Sequence, residues 1–308
     1  MSLNALGIDI GGSKIAAAIV GSDGSVAEPM IAPTPVVNGP AAILETVVTL
    51  CRRLLETGAT QGRIVSAVGI GSAGHVDHTN GVIVYASGTL PGWAGTALAV
   101  QLQTALGLPV IVENDVNALA IGESRFGAGQ PFDEALYVAV GTGVGGAMMR
   151  EGRLWRGVSF CGGEIGHLVV DWDGIRRCSC GLTGHLEAYT AGPALAERYR
   201  ALAGLDLAPD LRVVAERARN GDMIARTVIV EGARILGLAL GGLLSALDPQ
   251  ALIIGGSVPE IGNLWWTSFE QALRTSPMPG PARIALRPAQ LGAYAVVIGA
   301  GWIALGEN

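Results

Sequence analysis

Positive charge is scarce and scattered in this chain. Charged residues make up 15% of the 308, with 20 Lys and Arg against 26 Asp and Glu, and no Lys/Arg cluster occurs. At a net charge of −6, nucleic acid is excluded as a main partner, because phosphate-backbone binding needs concentrated positive charge. The N-terminus lacks the basic flank, apolar run and small-residue cleavage site of a secretory leader. Long apolar runs are missing too. The longest, Ile235–Leu247 and Ala293–Leu305, fall short of the ~20 residues that span a bilayer, so both read as buried helices and no membrane is expected. No low-complexity linker is present. What is abundant is apolar side chain, 50% of the total, enough for a sizeable core in one or two domains.

The pattern along the chain is mixed α/β. Leu3–Ile10 reads as a strand, Gly11-Gly12 as a turn, Lys14–Gly21 as a second strand, and Asp23-Gly24 as a hairpin signal leading to Ser25–Ala32. Pro33, Pro35 and Pro40 break the chain before an amphipathic helix over Ala41–Glu56. A buried strand at Ile64–Gly71, a helix at Thr96–Leu106, a short strand at Pro109–Glu113 and a helix at Val116–Phe126 follow. The opening layout then returns as a strand Ala135–Val140, a glycine turn at 141–146 and a strand Ala147–Arg150. This weak internal repeat suggests two similar lobes facing a cleft. From Ala194 to Leu247 the chain reads as mostly helical, then as a strand Ala251–Ile254, a helix near Ile261–Arg274, a strand near Arg283–Leu286 and a last helix.

Between Cys161 and Glu187 the sequence is dense in metal-binding side chains. His167, Cys178, Cys180 and His185 fall within nineteen residues, separated by turns carrying Gly181 and Gly184. Tetrahedral zinc accepts two Cys and two His, and with all four positions filled such a zinc would be structural. The spacing is not the usual Cys-x-x-Cys of zinc fingers, so a chance cluster or a redox Cys-x-Cys pair is the other reading. Four cysteines in so long a chain, two of them placed for metal, point to a reducing cytoplasm.

Two glycine clusters imitate motifs whose context is wrong. Gly7–Lys14 ends in Ser-Lys where a P-loop needs Lys-Ser or Lys-Thr, and a strand follows it where the P-loop has a helix. Gly69-Ile70-Gly71-Ser72-Ala73-Gly74 fits the dinucleotide fingerprint as a string, but the polar His75–Gly81 follows and no acidic residue lies about 20 residues on. What the hairpin turns can present is a nest of backbone N–H groups for anionic oxygens. Gly11, Gly12 and Ser13 would do so at the first turn, and Gly141, Thr142, Gly143, Gly145 and Gly146 at the second. Asp9, beside the first turn, is placed to reach a phosphate-bound Mg²⁺ through water. Each cluster is also compatible with a tight hairpin that binds nothing.

Glu113-Asn114-Asp115-Val116-Asn117-Ala118 stands where a strand meets a helix. Asn and Asp there can simply cap the helix. With phosphate cradles nearby they can also be a general base with its orienting amide, which phosphoryl transfer to a hydroxyl requires.

Together with Gly7–Lys14, Gly141–Gly146, the Gly-Glu-x-Gly-His at 163–167 and the Cys-x-Cys-Gly-x-x-Gly at 178–184, this segment resembles the ROK family of sugar kinases and repressors, and the motifs run in the family's order over nearly the whole chain. The resemblance implies an α/β, two-lobed actin-like ATPase (ribonuclease H-like) fold, with a zinc-binding loop in the second lobe. The lobes would be 1–114 and 115–292, with a last helix at about 293–308 packing back on the first. It implies ATP-dependent phosphorylation of the 6-hydroxyl of a hexose or N-acyl hexosamine, with Mg²⁺ at the phosphates and Zn²⁺ in the loop. Asp115 would be the catalytic base, and Gly74, Thr89, Asn114, Glu164, His167 and Glu187 would meet the sugar. Asp9, Gly11, Gly12, Ser13, Lys14, Thr142 and Gly143 would serve the phosphates, and Gly255, Gly256 and Ser257 the adenosine. Zinc would take His167, Cys178, Cys180 and His185. A homodimer or tetramer is expected.

The chain departs from the family pattern at two places. His185 stands where the family has Cys, a change that zinc tolerates. Thr89 stands where many glucokinases of the family have a sugar-contacting Asn, which leaves room for a substrate such as N-acetylmannosamine. Only six residues precede Gly7, so the repressor branch, with its added helix-turn-helix, is not expected. The alternatives are a non-catalytic sugar sensor, which need not keep Asp115 and Asp9, and a kinase using polyphosphate or ADP.

Overall fold

The computed structural model describes residues 3–306. Along the chain the strands and helices are β1 (Asn4–Ile10), β2 (Lys14–Gly21), β3 (Val26–Pro33), α1 (Gly39–Thr60), β4 (Val65–Ser72), β5 (His75–Asp77), β6 (Val82–Tyr85), α2 (Leu98–Leu106), β7 (Val110–Asn114) and α3 (Asp115–Phe126). Then come β8 (Ala135–Val140), β9 (Val144–Arg150), β10 (Arg153–Trp155), α4 (Glu187–Thr190), α5 (Gly192–Ala203), α6 (Leu211–Arg219), α7 (Met223–Leu247), β11 (Ala251–Gly255), α8 (Asn263–Thr275), β12 (Ala285–Pro288) and α9 (Ala295–Ala304). Contacts divide the chain into two compact units. The first takes the chain up to Asp133 with 147–162 and the chain from Ala289 on; the second takes 134–146 and 163–288. Against the expected boundary at 114/115, α3 and the β10 segment are counted with the first unit.

The first unit is built on a sheet ordered β3-β2-β1-β4-β7, antiparallel through β3, β2 and β1 and parallel from β1 through β4 to β7. On one face α1 buries Ile43, Val47, Leu50, Cys51 and Leu54, a helical spacing that closes the main core with Leu6, Ile8 and Ile70. Cys51 is fully buried, and desolvation pushes its thiol up to about 12, so it packs as an inert apolar residue. Pro40 does not stop the chain ahead of α1 as expected. It occupies the first turn, where a missing N–H costs nothing, and the helix runs past both expected ends.

On the other face α9 lies directly on backbone. A Cβ on Gly69 would sit 1.7 Å from the carbonyl oxygen of Ala300, and one on Gly7 would sit 2.0 Å from that of Val297. Gly7 and Gly69 thus let α9 approach the sheet, and helix packing accounts for the first glycine of the dinucleotide-like string.

In the second unit β8, β11 and β12 are parallel neighbours. β9 begins at Val144, three residues before the expected strand, so Gly145 and Gly146 belong to the strand and the turn is only 141–143. Beyond Gly146 that strand passes into the first unit, where its end pairs antiparallel with β10. The helix α7 has 25 residues, because the apolar run at 235–247 is the second half of a helix that starts at Asp222, whose carboxylate caps it. By length and composition α7 could cross a membrane, which the runs alone did not show. Half of its most apolar window is buried inside the second unit.

Candidate active site

In the first unit, the β1–β2 hairpin is closed by the Gly11 N–H donating to the Lys14 carbonyl at 3.1 Å, and Thr34 Oγ1 donates to the Gly11 carbonyl at 2.7 Å. Gly12 and Ser13 form the bend. Thr89, expected at the sugar, rests its methyl on this bend, so close that a Cβ on Gly12 would come within 2.2 Å of it. Its hydroxyl pairs with Ser87 Oγ at 3.0 Å. Asp9 sits one residue from the end of β1, opposite Gly71 of β4. Burial raises its carboxyl to about 7, and the charge of Asp115 adds to the rise while Lys14 opposes it. Asp9 therefore lies within the electrostatic reach of both Asp115 and Lys14.

The β7–α3 junction shows how the motif folds. Asn114 is the N-cap of α3, its Oδ1 accepting from the N–H groups of Val116 at 2.9 Å and Asn117 at 3.0 Å. Its Nδ2 donates to the Gly74 carbonyl at 3.1 Å and to Asp115 Oδ1 at 2.9 Å. Capping and positioning are thus one arrangement, since the same amide that starts the helix aims the carboxylate. Asp115 Oδ1 also accepts from the Val116 N–H at 2.9 Å. A carboxylate in the first turn of a helix is further favoured by the exposed peptide dipoles.

Glu113 carries a role that sequence reasoning missed. It is 2% exposed, and its Oε1 accepts from the Asn114 N–H at 3.0 Å and from Asn117 Nδ2 at 2.9 Å. Its Oε2 takes the Nε–H of Arg156 at 2.7 Å. Arg156 is 43 residues away in sequence, and nothing in local spacing announces the pair.

In the second unit the turn after β8 lies beside the Gly255-Gly256-Ser257 turn after β11. The Val258 N–H donates to the Val140 carbonyl at 2.9 Å, and Gly256 has φ +93° with its Cα over the Val140 backbone, where no side chain fits. Thr142, Gly256 and Ser257 are exposed. The expected phosphate and adenosine turns of this unit are therefore adjacent.

Glu187, expected at the sugar, reaches from the start of α4 to the same turn and accepts the Val144 N–H at 2.9 Å. Its other oxygen accepts from Ser179 Oγ at 2.5 Å, so it ties the 141–143 turn to the cysteine loop. Glu164 Oε2 lies 3.8 Å from His167 Nε2.

The cysteine loop folds as a hairpin with isolated bridges at Val169–His185 and Arg177–Thr183. It gathers His167, Cys178, Cys180 and His185 so that one ligand atom from each lies within 4.8 Å of all the others. His167 Nδ1 is 3.3 Å from His185 Nδ1 and 3.6 Å from Cys178 Sγ, and Cys180 Sγ is 3.3 Å from His185 Nδ1. Ligands at ordinary zinc bond lengths form tetrahedron edges of roughly 3.3–3.8 Å. The donor set could hold a metal ion, and His185 supplies one of its four candidate ligand atoms.

The ROK family model matches residues 5–307. The chain belongs to the ROK family. A glucokinase of Streptomyces coelicolor is 33% identical over 97% of this chain and 96% of its own length. An N-acetylmannosamine kinase of Shigella boydii is 32% identical over 83% and 84%. A ROK family glucokinase from Streptomyces griseus, solved with glucose and AMPPNP, superposes with a TM-score of 0.85 at 34% identity, covering 98% of this chain and 99% of that one. The fold is thus the mixed α/β fold of the ROK actin-like kinases, with a Cys/His cluster able to hold a metal ion.

Proposed function

We propose that this ROK protein is an ATP-dependent kinase that phosphorylates the 6-hydroxyl of a hexose or N-acyl hexosamine. The observation that carries the reading is the Asp115 carboxylate, anchored through Oδ1 at the start of α3 by Asn114 and the Val116 N–H. An anchored base needs no reorganisation when it accepts the hydroxyl proton, and that proton transfer is worth about 10²–10⁴-fold.

Gly11, Gly12, Ser13, Lys14, Thr142 and Gly143 would hold phosphate oxygens, with Gly255, Gly256 and Ser257 at the adenosine. Asp9 would hold Mg²⁺ through water, and when bound that ion neutralises the charge of the transferring phosphoryl group. Gly74, Thr89, Asn114, Glu164, His167 and Glu187 would form the sugar's surroundings. His167 would present Nε2 while Nδ1 is committed to zinc, and zinc binding would fix the ring.

The relatives stand on both sides of the glucose and N-acetylmannosamine divide at nearly equal identity. An ADP-release assay with glucose, N-acetylglucosamine, N-acetylmannosamine, mannose, fructose and allose decides the substrate. The same sugars tested with polyphosphate and with ADP, read as sugar phosphate formed, decide the donor. No sugar phosphate from any sugar with any of the three donors would overturn the kinase reading in favour of a sugar sensor.

A further inference from the structure

The first unit contains a cavity of about 840 Å³ whose lining includes neither Asp9, Asn114 nor Asp115. Its volume falls within the range of small-molecule sites. It runs along β7 and β10, each the terminal strand of its sheet, and reaches the C-terminal ends of α3 and α9. Three arginines line it, Arg125, Arg153 and Arg156, against one carboxylate, Glu113, which is already paired with Arg156. In a chain of net charge −6 this is a local reversal of sign. Neither the Arg125 nor the Arg153 guanidinium is ion-paired among the described residues.

Two further polar groups on the lining are unsatisfied. Among the described residues, His78 Nδ1 and Trp302 Nε1 are buried atoms with no hydrogen-bond partner. A buried indole N–H left unpaired costs free energy that an acceptor in the cavity would recover. Burial, with Arg156 nearby, holds His78 below the usual imidazole range, so the positive charge near neutral pH is that of the arginines. The remaining walls are apolar, among them Ile121, Met149 and Leu154.

We propose that this cavity binds a small organic anion, a carboxylate or phosphate ester carried on an apolar or planar body, at a site separate from the sugar and nucleotide positions. The anionic group meets Arg125 and Arg153 at the rim, the Trp302 N–H finds its acceptor, and the body packs on the apolar wall. The site is coupled to the β7–α3 junction. Arg156 lines the cavity and holds Glu113 Oε2, while Glu113 Oε1 holds the Asn114 N–H. An anion that shares Arg156 shifts the support under Asn114 and Asp115, so occupancy alters turnover.

Titration calorimetry of the full-length protein with benzoate, phenyl phosphate, phosphoenolpyruvate and inorganic phosphate tests the site. At least one organic anion is expected to bind about tenfold tighter than inorganic phosphate, with AMPPNP present. The double variant Arg125→Ser/Arg153→Ser should weaken that binding at least about tenfold, and Asp115→Asn should leave it unchanged. Binding equal in parent and double variant, no better binding than inorganic phosphate, or no organic anion bound at about 10 mM overturns the assignment. Binding is read without turnover, so its failure is separate from any failure of the kinase reading. The coupling is read from initial rates with saturating anion. They should change in the parent and not in the double variant, and unchanged rates in both would refute the coupling.

Discussion

Breaking the Glu113–Arg156 pair is expected to destabilise the first unit far more than a surface salt bridge would. The Glu113 side chain is 3% exposed and that of Arg156 25%, and they meet at 2.7 Å. Exposed pairs are worth about 0–1 kcal/mol, whereas removing one partner of a buried pair costs about 3–5 kcal/mol because the other charge is stranded. Glu113→Gln keeps an acceptor for Asn114 and Asn117 but turns an amide N–H toward the guanidinium. The lower end of the range, about 3 kcal/mol, is therefore expected for it. Arg156 retains some solvent, so Arg156→Gln, which strands the better-buried carboxylate, should cost at least as much.

The first unit has roughly 170 residues, a size at which 3 kcal/mol lowers its melting transition by roughly 6–12 °C. The double variant Glu113→Gln/Arg156→Gln should cost little more than either single change, a coupling of about 2–3 kcal/mol. Thermal unfolding followed by calorimetry measures all four proteins. Single losses under about 1 kcal/mol, or losses that add to within about 0.5 kcal/mol in the double variant, would mean the pair is screened and does not support the junction.

Asp115→Asn should reduce turnover by about 10²–10⁴-fold with sugar affinity largely kept, and steady-state kinetics within threefold of the parent would remove the general-base assignment. Metal analysis of protein purified without added zinc should find about one zinc per chain, and stripping it should lower both stability and sugar affinity. Full activity at under ~0.2 zinc per chain would reduce the Cys/His cluster to packing. Asp9 has a folded pKa of about 7 against 3.8 in the unfolded chain, so the native state binds the extra proton between those values. Stability should therefore fall as pH rises from 4 through 7, with ~4 kcal/mol as the ceiling and solvent screening of the half-buried carboxylate reducing it. Asp9→Asn should flatten that dependence and melt higher than the parent at pH 8. Parallel melting curves for the two proteins from pH 5 to 8 would show that Asp9 does not titrate in this range.

Features set by neighbours in sequence were legible in the sequence. Apolar runs and turn residues placed β1, β2 and β8, and the Asn-Asp cap before an apolar run placed the β7–α3 junction and with it Asp115. The order of the ROK motifs carried the fold, and four candidate ligands within nineteen residues announced a Cys/His cluster able to hold a metal ion. Tertiary structure decided what depends on approach between distant segments. That Gly69 serves helix packing follows only from α9 lying on the sheet more than 200 residues later. That the strand after the second turn starts at Val144 shows only with Glu187 bonded to its N–H. Glu113 read only as a neighbour of Asp115, whereas Arg156 packs against it, and the cavity they share has no sequence signature at all. Hydrophobic period and capping act over a few residues and are written locally. The pairing of buried charges and the shape of empty space belong to the packed chain, because the groups involved meet only once it has folded.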